Sequence, residues 1–244
     1  MKRISMIFTV LLALFVSMPT MAQEKKKLDW KDGKMPALTN VKDINDYLLT
    51  CDTIINHLKA IDENLVWYKV QEVQCENSDG TISKTYHIVN EKDPTDFRGK
   101  DAALKQTLDV ISVCIILPLE AANIGVQTPL YTMALPQLGL GAVKYAKYSK
   151  LGPQLAARCA TDVVQTLAKL RKQGKAIRAL KKMTNQKGEL TDPNIDISKV
   201  EGMEDFVESG TVQKTSEELA AILAQEQAAD SNVGDIDESA LDIE

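Results

Sequence analysis

Histidine is scarce in this chain of 244 residues, which contains only His57 and His87. This scarcity excludes zinc sites that use three imidazoles, and no H-E-x-x-H pair is present to place two ligands on a helix. The four cysteines contain no C-x-x-C pair, so zinc-ribbon and thioredoxin-like sites are excluded too. The sequence therefore predicts no metal site.

Glycine-rich and nucleophile motifs are also missing. The chain has no G-x-S-x-G turn, no Walker loop and no G-x-G-x-x-G fingerprint, and Gly139 and Gly141 stand without a third glycine. Aromatic residues make up only 5% of the chain, too few to predict a broad stacking surface for bases or sugars. We therefore predict no catalytic residues and no cofactor, and an enzyme is not the favoured class.

The N-terminal residues have the layout of a secretory signal peptide. Lys2 and Arg3 supply positive charge, residues 6–16 form an uncharged apolar run, and residues 20–22 place small side chains at a cleavage site. The apolar run is about half of the roughly 20 residues that span a bilayer, so cleavage rather than anchoring is expected. We predict that residues 1–22 are removed and that the protein is exported, to the periplasm or outside the cell.

Charge is divided unevenly along the chain. Residues 23–188 hold 25 Lys and Arg against 18 Asp and Glu, whereas residues 189–244 hold 2 against 16. Blocks of like charge that are poor in large apolar residues usually stay solvated and disordered. We therefore predict a disordered acidic tail at residues 188–244, with one short helix that begins at a capping box from Thr215 to Glu218.

The sequence before the tail predicts a helix followed by a β-hairpin. After a flexible leader at residues 23–38, apolar residues recur at alternating three and four positions from Val41 to Leu58, which predicts an amphipathic helix. Residues 65–90 then carry β-favouring residues around an Asp-Gly pair, which predicts a hairpin. A two-residue loop would place Val73 opposite Tyr86 and would leave His87 on the less apolar face.

An uncharged run of 23 residues extends from Ala121 to Val143. Its length would suit a membrane span, but prolines, glycines and amides interrupt it. We predict a helix from Lys100 that kinks or ends at Pro118, followed by short buried helices, with a membrane-inserting hairpin as the alternative. The predicted fold is mainly α: one helical domain over residues 39–187, a single β-hairpin inserted after its first helix, and the disordered tail.

Four basic residues share one face of a helix predicted to run from Gly152 to about Met183. They lie at i, i+4, i+7 and i+11, and they are Arg171, Lys175, Arg178 and Lys182. Such a face attracts polyanions. In an exported protein we expect anionic lipid, an acidic protein or the chain's own acidic tail there, and no nucleic acid. If the tail folds over this face, it would compete with an outside partner.

The four cysteines are predicted either to be buried thiols or to form disulfides, which export would permit. Cys51, Cys114 and Cys159 fall on apolar helical faces, and Cys75 falls in the hairpin. If bridges form, pairing Cys51 with Cys75 and Cys114 with Cys159 joins neighbouring elements, and we favour that arrangement among the three connectivities.

Together these features favour an exported, non-enzymatic binding or assembly protein of the cell envelope that contacts a protein partner. The first alternative is a membrane-surface protein, in which residues 169–182 bind anionic headgroups and residues 110–143 insert. The second alternative is a hydrolase of unrecognised type, because carboxylates that folding brings together leave no mark in a sequence.

Overall fold

The structure is a computed structural model and describes residues 28–30, 33–77 and 79–242. The predicted signal peptide lies outside the described residues. The chain divides into two compact units. Unit 1 contains the residues up to Asn56 and Pro118–Asp162, and unit 2 contains His57–Leu117 and Val163–Glu244.

Helices and strands are mixed along the described residues. The helices are α1 (Lys42–Asn64), α2 (Lys100–Ala134), α3 (Ala142–Ala146), α4 (Leu151–Arg158), α5 (Val164–Met183) and α6 (Ser216–Asp230). The strands are β1 (Tyr68–Glu76), β2 (Ile82–Asn90), β3 (Asp93–Arg98) and β4 (Val207–Lys214). The 3-10 turns are Leu135–Gly141, Ile197–Lys199 and Ser239–Leu241, and a π turn covers Cys159–Val163.

Helix α1 follows the apolar periodicity of its sequence. Ile44, Leu48 and Leu58 are buried on one stripe, as the spacing predicts. The hydroxyl oxygen of Thr39 accepts a hydrogen bond from the backbone N–H of Val41 at 3.0 Å, which satisfies one donor ahead of the helix. The prediction of an amphipathic first helix is confirmed.

Unit 2 contains a four-stranded mixed sheet, so the prediction of a helical domain with a single hairpin is wrong. The strand order is β3-β2-β1-β4. Strands β1, β2 and β3 are antiparallel neighbours, whereas β4 runs parallel to β1. The sequence did not reveal β3 and β4 because both are polar edge strands without an apolar alternation of their own. Strand β4 also pairs with β1, which is far away in the sequence, whereas β3 pairs with the adjacent β2.

The acidic tail is folded between residues 188 and 242, and the prediction of disorder there is wrong. It supplies β4 and α6. Ile222 of α6 packs against Val73, Val89 and Phe97 of the sheet. The capping box at the start of α6 is confirmed, because Thr215 and Glu218 bond each other's backbone N–H groups. A few apolar residues at the right positions are enough to cover a sheet face, although the average composition is acidic.

The hairpin has a different register from the predicted one. Val73 lies opposite Thr85 rather than Tyr86, because Glu76 pairs with Ile82 and the loop is longer than two residues. A shift of one residue changes the face on which every side chain lies. Both faces of β2 are covered from Thr85 to Val89, so His87 is fully buried although it was predicted on the less apolar face.

Helix α2 continues through both of its prolines, so of the kink or end predicted at Pro118 the end is excluded. A proline inside a helix removes one backbone hydrogen bond and crowds the preceding turn. Buried side chains on both sides of Pro118, among them Leu117 and Ile124, stabilise the helix against this loss. The short buried helices predicted for residues 121–134 are therefore one helix with one buried face.

The core of unit 1 is built around two stacked tyrosines. The rings of Tyr47 and Tyr131 have centroids 4.0 Å apart. The hydroxyl of Tyr47 donates to the carbonyl oxygen of Tyr148 and accepts from the backbone N–H of Gly152, both at 2.8 Å. Both bonding capacities of this buried hydroxyl are therefore used.

Part of the segment predicted as a flexible leader is packed in unit 1. Trp30 is buried, and its indole N–H donates to a carboxylate oxygen of Asp52 at 2.7 Å. Its ring makes an edge contact with Tyr148 at a centroid distance of 5.4 Å. One tryptophan therefore anchors this part of the N-terminal segment.

Candidate functional site

The orientation of α5 is set by a buried amide. Gln173 accepts a hydrogen bond from the backbone N–H of Tyr68 at 2.9 Å and donates to the hydroxyl of Thr107 at 2.9 Å. It also donates to the carbonyl of Val66 at 3.2 Å. A buried amide costs free energy unless its groups are bonded, so this network favours one rotation of α5. It leaves Lys175 and Lys182 exposed and Arg171 and Arg178 half-buried.

The C-terminal residues lie on this basic face of α5. The guanidinium of Arg178 donates to both carboxylate oxygens of Asp242, at 2.9 and 3.1 Å, and lies 3.7 Å from Glu238. The bidentate hydrogen bond from Arg178, with the charges of Lys175 and Lys182 nearby, lowers the pKa of Asp242. Three of the four predicted basic residues therefore act on one carboxylate of the same chain.

An apolar contact accompanies this charge pairing. Leu241 is fully buried and lies over Gly174, where an added Cβ would come within 2.5 Å of its methyl group. The absence of a side chain at Gly174 therefore makes room on α5 for the side chain of Leu241. We call this contact of residues 238–242 with α5 the tail latch.

Acidification should open the tail latch. Because the pKa of Asp242 is lowered in the folded state, its contribution is complete above the ordinary aspartate range, about pH 4, and is lost as the pH falls through the lowered value. We expect nuclear Overhauser effects between Leu241 and Gly174 to disappear in that range, and Asp242→Asn to remove them at neutral pH. Glu189→Gln, a carboxylate of the same region outside the latch, is the control. If the nuclear Overhauser effects between Leu241 and Gly174 persist in Asp242→Asn at neutral pH, the charge of Asp242 does not hold the tail latch closed.

The outer side of α2 carries large apolar side chains that no other described residue covers. Leu119, Val126, Leu130 and Met133 lie at i, i+7, i+11 and i+14, on one face of the helix. With the following turn and α3, the exposed set is Leu119, Val126, Leu130, Met133, Leu140 and Val143, which we call the apolar surface. Leu140 is 100% exposed and the others are 44–81% exposed.

The apolar surface belongs to the segment that could cross a membrane by its length and composition. Among the described residues, one helical segment, Lys100–Ala146, meets that criterion. The core helix of a soluble protein also meets it, but such a helix is mostly buried. Here 33% of the most apolar window is buried. The predicted burial of residues 121–143 thus holds for one face alone.

Lysines follow the apolar surface directly. Between Glu120 and Asp162 the chain contains no acidic residue and four basic ones. Lys144, Lys147 and Lys150 are exposed at intervals of three residues. The ammonium groups of Lys144 and Lys147 lie 5.7 and 4.9 Å from tyrosine ring centroids. This basic group was missed in the sequence because the longer cluster on α5 dominated the charge count.

A histidine and a glutamate are paired in the interior of unit 2. Nδ1 of His87 lies 2.9 Å from a carboxylate oxygen of Glu226 on α6, and Nε2 lies 2.8 Å from the hydroxyl of Thr85. His87 is fully buried and Glu226 nearly so. Both ring nitrogens are bonded within the protein, so this pair attaches α6 to the sheet and has no position at which a substrate could enter.

The four cysteines are all buried and none is in a disulfide. Each pair considered from the sequence divides between the two units, with Cys51 and Cys159 in unit 1 and Cys75 and Cys114 in unit 2. Burial raises the pKa of Cys51 to about 12 and that of Cys114 to about 11. Only thiolates react quickly, so these thiols are poor nucleophiles at neutral pH.

Thiol labelling should report this burial. Without reductant, we expect iodoacetamide to modify the native protein slowly and to modify all four cysteines once guanidinium has unfolded it. Rapid labelling of Cys51 in the native state would contradict its burial. Fewer than four modified thiols after unfolding would instead show that disulfides form in the exported protein.

Within the described ranges, no group of three or more His, Cys, Asp or Glu side chains is arranged to hold a metal ion. The two surfaces with functional potential are therefore the basic face with its tail latch, in unit 2, and the apolar surface with its lysines, in unit 1.

Fold and sites together define a helical protein with a four-stranded mixed sheet and an exposed apolar helix face. Comparison with protein-family models, curated proteins and solved structures finds no match to the chain.

Proposed function

We propose that this protein is an exported, non-enzymatic binding protein of the cell envelope, and that it binds through the apolar surface. The observation that carries the proposal is the exposure of six large apolar side chains within residues 119–143. Large exposed apolar patches on soluble proteins mark sites of interaction, because covering them removes apolar area from water.

Export is the part of this proposal that rests on the sequence. It is supported by the charge, apolar run and small residues of positions 1–22. Cell fractionation followed by N-terminal sequencing tests it. We expect an envelope or extracellular fraction that begins near Gln23, and recovery from the cytosol with Met1 in place would contradict export.

Binding receives more support than catalysis because three groups that could do chemistry are engaged inside the fold. His87 is bonded at both ring nitrogens, and the thiols of Cys51 and Cys114 are held protonated by burial. The basic face on α5, which the sequence favoured as the binding site, has Arg178 bonded to the chain's own Asp242. The apolar surface has no such internal occupant among the described residues.

A matched pair of variants tests the proposal. Leu140→Asp adds a charge to the apolar surface at a fully exposed position, and Ile82→Asp makes the same kind of change at a 61% exposed position at the start of β2. Both should fold. We expect Leu140→Asp to abolish association with the envelope fraction and Ile82→Asp to leave it intact. Equal association of both variants with the envelope would contradict the proposal.

A further inference from the structure

We infer that the partner of the apolar surface is an anionic lipid membrane, into which residues 133–143 insert while Lys144, Lys147 and Lys150 contact the headgroups. This inference rests on the proposed function and names the partner of the same surface. Its first support is that the distal half of α2 is apolar on two opposite faces, one of which is buried and one exposed.

The buried face of α2 is already used by the protein. Ile124 and Tyr131 are fully buried in unit 1, and the hydroxyl of Tyr131 donates to the carbonyl of Tyr145 at 2.6 Å. The helix therefore cannot turn that face to lipid without unfolding the core. Its outer face can enter the interface as it stands, so the geometry favours insertion from one side of a membrane over a full crossing.

The composition of the apolar surface fits lipid better than protein. It consists of Leu, Val and Met side chains, and all of them except Leu119 lie within the run of 23 uncharged residues. Protein interfaces draw most of their affinity from Trp, Tyr and Arg, surrounded by polar groups that select one partner. This surface contains none of those anchors. Acyl chains require only apolar area.

The most exposed part of the surface has the shape of an inserting tip. The turn Leu135–Gly141 contains no buried residue, and Gly139 adopts a positive φ of 54° at a kink in the chain. Leu140 follows this kink directly and is completely exposed. In water this arrangement is unfavourable, and at the acyl boundary of a membrane it becomes favourable.

The lysines supply the second part of the recognition. Residues 121–161 carry four positive and no negative charges, so the segment that follows the apolar tip is itself basic. Basic groups near a leaflet of anionic lipid bind it electrostatically, and this attraction weakens with salt. Weak insertion combined with a basic group gives stable attachment where neither is sufficient alone.

Vesicle flotation tests this inference with the purified protein. Phosphatidylcholine vesicles, with and without phosphatidylglycerol, are the probes. We expect the wild type to float only with the anionic vesicles. Leu140→Asp should abolish flotation, and replacing Lys144, Lys147 and Lys150 together by Gln should weaken partitioning on the order of a hundredfold. Ile82→Asp is the control for the apolar change, and Lys175→Gln with Lys182→Gln is the control for the charge change.

The outcomes separate this inference from the proposed function. A wild type that floats with neither vesicle, or a Lys175 and Lys182 variant that alone loses flotation, overturns the lipid inference. A dimer of the wild type that Leu140→Asp converts to monomer also overturns it, because a second copy then covers the surface. If the wild type does not float with either kind of vesicle but Leu140→Asp still abolishes association with the envelope, the proposed binding function stands and the partner is a protein.

Discussion

A chain that ends at Gly188 is expected to lose the cooperative unfolding of unit 2. Removing the residues beyond it takes away β4, the parallel neighbour of β1, and α6. It uncovers Val73 and Val89, and it leaves the buried His87 without its glutamate. A fully disordered tail would predict no effect, so the experiment separates the two descriptions. Amide dispersion in NMR spectra and urea unfolding measure the result.

A chain that ends at Gly234 is the matched control for this truncation. It keeps β4 and α6 and removes only the tail latch, so a cooperative transition should remain. Ile222→Ala measures the contribution of α6 to stability in a protein that still folds. Deleting the buried part of this side chain should lower the free energy of unfolding by about 2–4 kcal/mol. If the chain ending at Gly188 unfolds like the full chain, the sheet does not depend on its fourth strand.

Replacing Gly152 by alanine is expected to destabilise unit 1 by about 2–4 kcal/mol. The added Cβ would lie 2.8 Å from a ring carbon of Tyr47 and 2.9 Å from its hydroxyl. The ring cannot move away freely because it stacks on Tyr131 and its hydroxyl holds two backbone groups. The substitution therefore adds a clash and breaks hydrogen bonds that are buried. Urea unfolding followed by fluorescence measures the change.

Gly125→Ala is the control, because it makes the same chemical change in a helix of the same unit. Nothing lies within 4 Å of the position that its added methyl group would occupy, since that side of α2 is open. Alanine is the better helix former, so this variant should gain about 0.5–1 kcal/mol. If both variants shift stability in the same direction, the contact between Gly152 and Tyr47 does not constrain the core.

The two surfaces suggest a division of roles between the units. In unit 2 the tail latch pairs a basic face with the chain's own acidic end, which leaves Arg178 half-buried. In unit 1 the lysines at positions 144–150 adjoin exposed apolar side chains instead. Charge count alone favours the first surface as a binding site. Occupancy weighs against the first, because Arg178 already has an anionic partner, and such a cation contributes less to binding another.

Local sequence patterns were sufficient to predict the elements whose structure is determined by residues close together in the sequence. The stripe of α1 and the capping box of α6 depend on residues three or four positions apart, and both are present. The hairpin was found for the same reason, although its register was not. Its loop is longer than the Asp-Gly pair suggested, and one residue of difference changes which side chains of the two strands share a face.

Only the tertiary structure decided the sheet, the state of the tail and the exposed face of α2. The pairing of β1 with β4 joins residues far apart in the chain, for example Val73 with Val212, and no local pattern records such a pairing. The acidic average composition of the tail likewise hides the few apolar residues through which α6 packs against the sheet. In α2 the sequence shows apolar residues all round, and which of them are covered depends on what packs against the helix, which a single segment does not specify.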